Sequence, residues 1–441
     1  MTTPHPATKQ WIWTIFVAAL LELGMLTFFK NSLGPRISPL ILLFSGLFVG
    51  IAPLYFLRNQ KLHFEQAARS NPKNRLLTTV LPMLLGFGAC AYLLHQEITD
   101  FPITDFRKVE GSDVIPQIGI LVERFLNGEF PYRWIGEWSF SHQLYPTYLP
   151  LTWMPYILAD AIHLDYRWFA FGCLSIAFIT VGFRMLPPSK SMLSQAVLAV
   201  LPFLFLFAFL LEDNEGIFRY AVETLIAAFY LFVGLSLTTR SNTFRGIALL
   251  FCLLSRYSLV LWLPLFFFMT LLQEGRKSTI QILGILFAGV LLIYVPFLLV
   301  DSSIFIKGYD YHSAAAFHAW KVMPWQKAGE LPFHLYNGLG LGWTFYENWE
   351  GTLLEKVDAY RDLHKVVSLA VPVLFGILYW NIKAQIDYRL FLLCSFKVYL
   401  VVFYNFIQIP FSYLFLVPIL FSIPLLYYIL GSRSMKRQAK S

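Results

Sequence analysis

Apolar runs punctuate this chain from end to end, and they restrict what it can fold into. They cover residues 10–29, 37–57, 76–95, 166–186, 192–211, 218–238, 245–255, 258–273, 279–299, 366–381, 388–408 and 411–430. Most are roughly 17–22 residues long, the length a helix needs to cross about 30 Å of hydrocarbon. None alternates apolar and polar residues as a barrel strand does. Lipid offers no water to satisfy backbone N–H and C=O groups, so such runs must be helices. Charged residues are 14% of the chain, against roughly 25% in a soluble domain. The expected fold is an all-α polytopic membrane protein. The pair 245–255 and 258–273 is short and predicts a tight hairpin that stops short of a full crossing. The stretch 146–163 is apolar but broken by Pro146, Pro150 and Pro155. It predicts an interfacial helix lying against the outer surface.

The formal net charge of +8 reports orientation, not affinity for nucleic acid. Basic residues gather in the short loops: Arg58, Lys61, Arg69, Lys73 and Arg75; Arg184 and Lys190; Arg240 and Arg245; Arg276 and Lys277; Lys383 and Arg389; and the tail from Arg433 to Lys440. Cytoplasmic loops carry this excess. Both termini are therefore expected in the cytoplasm. The acidic or mixed segments 96–165, 212–216 and 301–365 are expected to share the external face. No cleavable signal peptide is expected, because no small-residue cleavage site follows the first run. Cys90, Cys173, Cys252 and Cys394 all fall in apolar runs and read as small buried hydrophobes. The chain divides into an N-terminal hairpin and basic loop (1–75), a core containing the first external loop (76–300), a second external loop (301–365) and C-terminal helices with a basic tail (366–441).

The first external loop holds the main candidate for chemistry. Asp113 opens the run DVIPQIGILVERFLNGEF, whose apolar positions recur at helical spacing and which Asn127-Gly128 should stop. An acid there can be a helix cap favoured by the dipole. It can equally be a general base, a carboxylate in a partly dry cleft that takes a proton from a hydroxyl. The aromatic residues that follow, Tyr132 and Tyr145 among them, are either sugar-stacking surfaces or an interfacial belt. In the second loop His312, His318 and His334 lack metal-helix spacing and read as polar interface residues. Trp320, Trp325, Trp343 and Trp349 suit headgroup anchoring or sugar stacking.

An acid just outside a span, an amphipathic helix ending in NGEFPY, and then YPTYLPLTWMPY together resemble the first periplasmic loop of GT-C glycosyltransferases. The similarity is to the bacterial polyprenyl-phosphate-mannose-dependent mannosyltransferases. Asp113 is followed by Gly128, Pro131 and Tyr132, then by Tyr145 and Pro146; Thr147 stands where that family has a second proline. The resemblance implies a GT-C-type helix bundle with two large external loops and Asp113 as catalytic base. It implies acceptor or metal contacts for Asp213 and Glu215 in LEDNEG. In LLSRYSLVLWLPL it implies Arg256 as a donor-phosphate ligand, and a guanidinium suits phosphate, which it grips with two parallel hydrogen bonds. It spans roughly residues 76–300; the hairpin 10–57 is additional to the simplest family plan.

The implied reaction is hexosyl or pentosyl transfer from a polyprenyl-phosphate sugar to a hydroxyl of a glycan, lipid or protein acceptor, in a bacterial inner membrane. A divalent cation, Mg or Mn, is the one cofactor it leaves open. A transporter or flippase for a lipid-linked sugar is the alternative, and it needs polar residues along a mid-membrane path. Glu22, Glu223 and Lys397 are the main intramembrane charges, and they are scattered in sequence.

Overall fold

The computed structural model describes residues 6–58, 62–64, 76–109, 112–136, 143–186, 191–211, 217–220, 223–327 and 329–434. Each apolar run is helical over most of its described length. Nine helices among the described residues are long and apolar enough to cross a membrane, from Lys30–Phe56 to Ser412–Gly431. Trp11–Thr27, Glu223–Thr238 and Asn242–Leu253 are shorter apolar helices. The protein is an all-helical, multi-pass membrane protein.

The expected short hairpin is short in one arm only. Asn242–Leu253 has 12 residues, about 18 Å of helix, less than the hydrocarbon thickness of about 30 Å. The second arm runs without interruption from Tyr257 to Glu274, 18 residues, which is spanning length. Pro264 sits in the first turn of its α-helical part, where it needs no intrahelical donor and starts the helix.

The helix ends sort into two sets that agree with the charge pattern. At the basic end, Arg245 pairs with Glu274 at 2.6 Å, the Tyr388 hydroxyl donates to Glu274, and the Tyr428 hydroxyl donates to Asp387. Leu62–Phe64 there forms a short antiparallel ladder with Ser432–Ser434. At the opposite, loop end, Arg219 pairs with Glu97 at 2.9 Å and Arg36 with Glu347 at 2.6 Å. Gly34 kinks the chain near the start of Lys30–Phe56 at φ +79°, a conformation that glycine adopts without a Cβ clash.

The N-terminal hairpin is an integral part of the bundle. Gly46 and Gly50 let the second helix lie directly on Tyr388–Asn405: a Cβ at Gly50 would meet the Val398 side chain at 2.5 Å. Small residues four apart admit this close approach in membranes. The Lys397 ammonium reaches Glu22 at 2.5 Å and the Pro418 carbonyl, while the Ser422 hydroxyl donates to the other Glu22 oxygen. All of these charged atoms are sealed from solvent.

The proline-broken stretch departs from expectation. It forms two short helices, Pro150–Trp153 and Tyr156–Ala161, and the first is wholly buried. The second exposes Leu158, Asp160 and Ala161 and buries Tyr156 and Ala159. The prolines cut the segment into pieces short enough to tuck under the loop, so it is not a single helix lying on the surface. The loop 301–365 has its own small core of Trp320, Leu335, Tyr336, Val357 and Tyr360. Its last helix, Leu353–Ile382, starts at a Thr352–Glu355 capping box and continues into the expected 366–381 span.

Candidate functional site

Asp113 precedes the helix Val114–Leu126 without capping it. The cap is made by Ser112, whose hydroxyl accepts from the Val114 N–H at 3.1 Å and donates to the Tyr220 carbonyl at 2.7 Å. Asp113 is exposed. The helix stops where expected, at Gly128 with φ +73°. The Ser112–Tyr220 bond also fastens the Asp113 end of this helix to the segment that leads into Glu223.

A second set of bonds carries the loop to Arg256. The Gln117 amide oxygen accepts from the Thr147 N–H at 3.0 Å. A proline at 147 has no N–H and could not make this bond. Further on, the Leu151 N–H donates to the Leu254 carbonyl at 2.9 Å, and the Thr152 hydroxyl to the Ser255 carbonyl at 2.7 Å. The loop segment 147–152 is therefore stitched at one end to the Asp113 helix and at the other to the Arg256 turn.

Arg256 forms an ion pair with Glu223. The carboxylate is almost wholly enclosed, with a side-chain exposure of 2%, whereas Arg256 keeps 25%. The pair is incompletely satisfied: buried Glu223 Oε1 and Arg256 Nε have no hydrogen-bond partner. Buried polar atoms are nearly always paired, so two orphans on one ion pair mark a place for water or a ligand.

Asp113, Arg256 and Glu223 converge electrostatically. The charges of all three reach Tyr148 and Tyr413. Burial pushes the Tyr148 phenol well above its ordinary range; Asp113 and Glu223 add to the shift and Arg256 opposes it. Tyr311 also lies within reach of Asp113. His312 is within reach of Arg256 and Arg361 and retains exposed surface. Dense surroundings, followed by the two guanidinium charges, hold its imidazole below the usual histidine value. Its ring is therefore neutral at neutral pH.

The proposed stacking residues are core residues. Tyr132 is 3% exposed; its hydroxyl donates to the Tyr148 carbonyl and accepts from Trp153 Nε1, and its ring packs against Trp153 and Phe297. Tyr145 is 1% exposed and lies edge-on to Trp134. Neither ring offers a face to a sugar. Sequence cannot distinguish a buried aromatic from an exposed one in a loop this rich in both. Asp213 and Glu215 lie outside the described residues. Among the described residues no group of three His, Cys, Asp or Glu side chains could hold a metal ion. Glu223 had been read only as one scattered intramembrane charge. Its signal was an acid at the head of an apolar run, and its partner stands 33 residues further on. Comparison of the chain with family models, curated proteins and solved structures returns no match.

Proposed function

We propose that the protein is a GT-C-type glycosyltransferase that moves a sugar from a polyprenyl-phosphate donor to an acceptor hydroxyl on the external face of a bacterial inner membrane, with both termini cytoplasmic. The observation that supports this reading is the set of hydrogen bonds from Thr147 to Gln117, from Leu151 to Leu254 and from Thr152 to Ser255, which ties the Asp113 helix to the Arg256 turn. Under this proposal a base and a phosphate ligand 143 positions apart (256 − 113) serve one phosphosugar.

In this reading the Asp113 carboxylate takes the proton of the acceptor hydroxyl. The acceptor oxygen bonds to the anomeric carbon as the bond from that carbon to the phosphate oxygen breaks. Polyprenyl phosphate leaves with the electron pair, and its charge rests on Arg256. Glu223 holds Arg256 in place, so the guanidinium need not be reorganised during the reaction. If a divalent cation takes part, Asp213 and Glu215 are the residues to test for holding it. The pairing of Glu22 with Lys397 supports the enzyme over the transporter, because it removes those two charges from any mid-membrane path.

The test is transfer by membranes incubated with a panel of radiolabelled polyprenyl-phosphate sugars. Asp113→Asn is expected to lower transfer by about 10²–10⁴-fold with normal expression and insertion. Transfer at the wild-type rate by this variant would refute the base assignment.

A further inference from the structure

The outward stripe of the Val114–Leu126 helix forms one wall of a groove of about 360 Å³, a volume within the range of small-molecule sites. Its lining includes Ile120, Glu123, Asn127, Glu129, Arg133 and Trp134. We propose that this groove binds a neutral oligosaccharide, the acceptor of the transfer reaction, and feeds its terminal hydroxyl to Asp113. The proposal rests on the transferase reading.

Three observations carry it. The first is the chemistry of the lining. Glu123 pairs with Arg107 and Glu129 with Arg133, and Arg124, the third arginine of the lining, donates to three backbone carbonyls, so carboxylate acceptors and guanidinium donors share the groove, each already engaged within the protein. A polyol, which offers donors and acceptors together and no charge, matches such a surface. Exposed ion pairs contribute only about 0–1 kcal/mol to stability, so folding gives little reason to concentrate two of them in one concavity.

The second is the indole. Trp134 is 52% exposed and is braced edge-on by Tyr145 and Tyr311 at ring-centroid distances of 5.3 and 6.0 Å. Its backbone is fixed by Arg124, which donates to the Pro131, Arg133 and Trp134 carbonyls at 3.1, 2.7 and 3.0 Å. A rigid aromatic with open surface suits the apolar face of a sugar ring.

The third is continuity. Tyr311 packs on the floor formed by Ile120, Ile135 and Leu144, touches Trp134, and lies within reach of the Asp113 charge. The groove and Asp113 lie toward opposite ends of a 13-residue helix, about 20 Å long. An acceptor that fills the one and reacts at the other must have several sugar units.

The test uses the purified full-length protein in detergent micelles, in the Asp113→Asn background, on an array of neutral oligosaccharides of three or more hexose or pentose units. Retention of array members is expected. Trp134→Ala should weaken it by about tenfold, and Trp134→Phe should restore most of it. Because Arg124 holds the backbone of this turn, removing the indole leaves the loop in place. Glu123→Gln, which breaks one carboxylate–guanidinium pair, should also weaken retention. No retained array member, or retention unchanged by Trp134→Ala, overturns the proposal. Transfer with an unaltered acceptor KM in Trp134→Ala sinks the groove and spares the transferase. Oligosaccharide binding without transfer from any polyprenyl-phosphate sugar does the reverse.

Discussion

Two of the ion pairs among the described residues, each with an almost wholly enclosed carboxylate, are built differently. Glu22–Lys397 is closed: its side chains are 1% and 0% exposed, both carboxylate oxygens have donors, and the ammonium has a second acceptor in Pro418. Glu223–Arg256 is open: one carboxylate oxygen and one guanidinium nitrogen lack partners, and Arg256 keeps a quarter of its surface. The closed pair joins the N-terminal hairpin to the C-terminal helices. The open pair lies under the polar loops with Asp113, Tyr148 and His312 near it. Burial is common to both pairs; unspent hydrogen-bonding capacity is what separates them.

Substitutions can break this contrast. Lys397→Met strands a buried carboxylate and is expected to cost about 3–5 kcal/mol, read as lost resistance to unfolding in detergent, with donor KM unchanged in the protein that folds. Arg256→Lys should act in the opposite way. It keeps the charge beside Glu223 but loses the planar fork, so the fold should persist while apparent donor affinity falls by about 10–100-fold, the weight of about 1.5–3 kcal/mol for a charge-assisted bond. An unchanged donor KM in that variant would place Arg256 with the structural pairs. The smallest effect is expected for Glu22→Gln combined with Lys397→Met. Replacing both members of a closed pair removes the stranded charge and should recover most of the stability lost in the single variant.

Much of the scaffold could be read from the chain. The twelve apolar runs all became helices because length and hydropathy decide that outcome in lipid. The stop at Asn127-Gly128 was legible because only certain residues take φ of +73°. The site was legible in part. Asp113 and Arg256 were singled out by residue type and position, but the joint between them was not. It runs through backbone carbonyls of Leu254 and Ser255, and a carbonyl carries no residue signature. The burial of Tyr132 and Tyr145 was hidden for a related reason, since an aromatic side chain serves a loop core or an open surface equally well. The 146–163 segment misled because apolar character with prolines suggests a surface helix, whereas the polar loops above it supply a cover that periodicity cannot reveal.

The account stands on Asp113 and Arg256 facing one phosphosugar site. Asp113→Cys in a background with the four native cysteines replaced can be labelled with a membrane-impermeant maleimide, with and without a short-chain polyprenyl phosphate. The account expects labelling from the external side and slowing of that labelling by the lipid phosphate. It also expects the protection to vanish when Arg256→Ala and Glu223→Gln are introduced together. Labelling that the lipid phosphate leaves unchanged, or protection that survives the loss of Arg256, would contradict it.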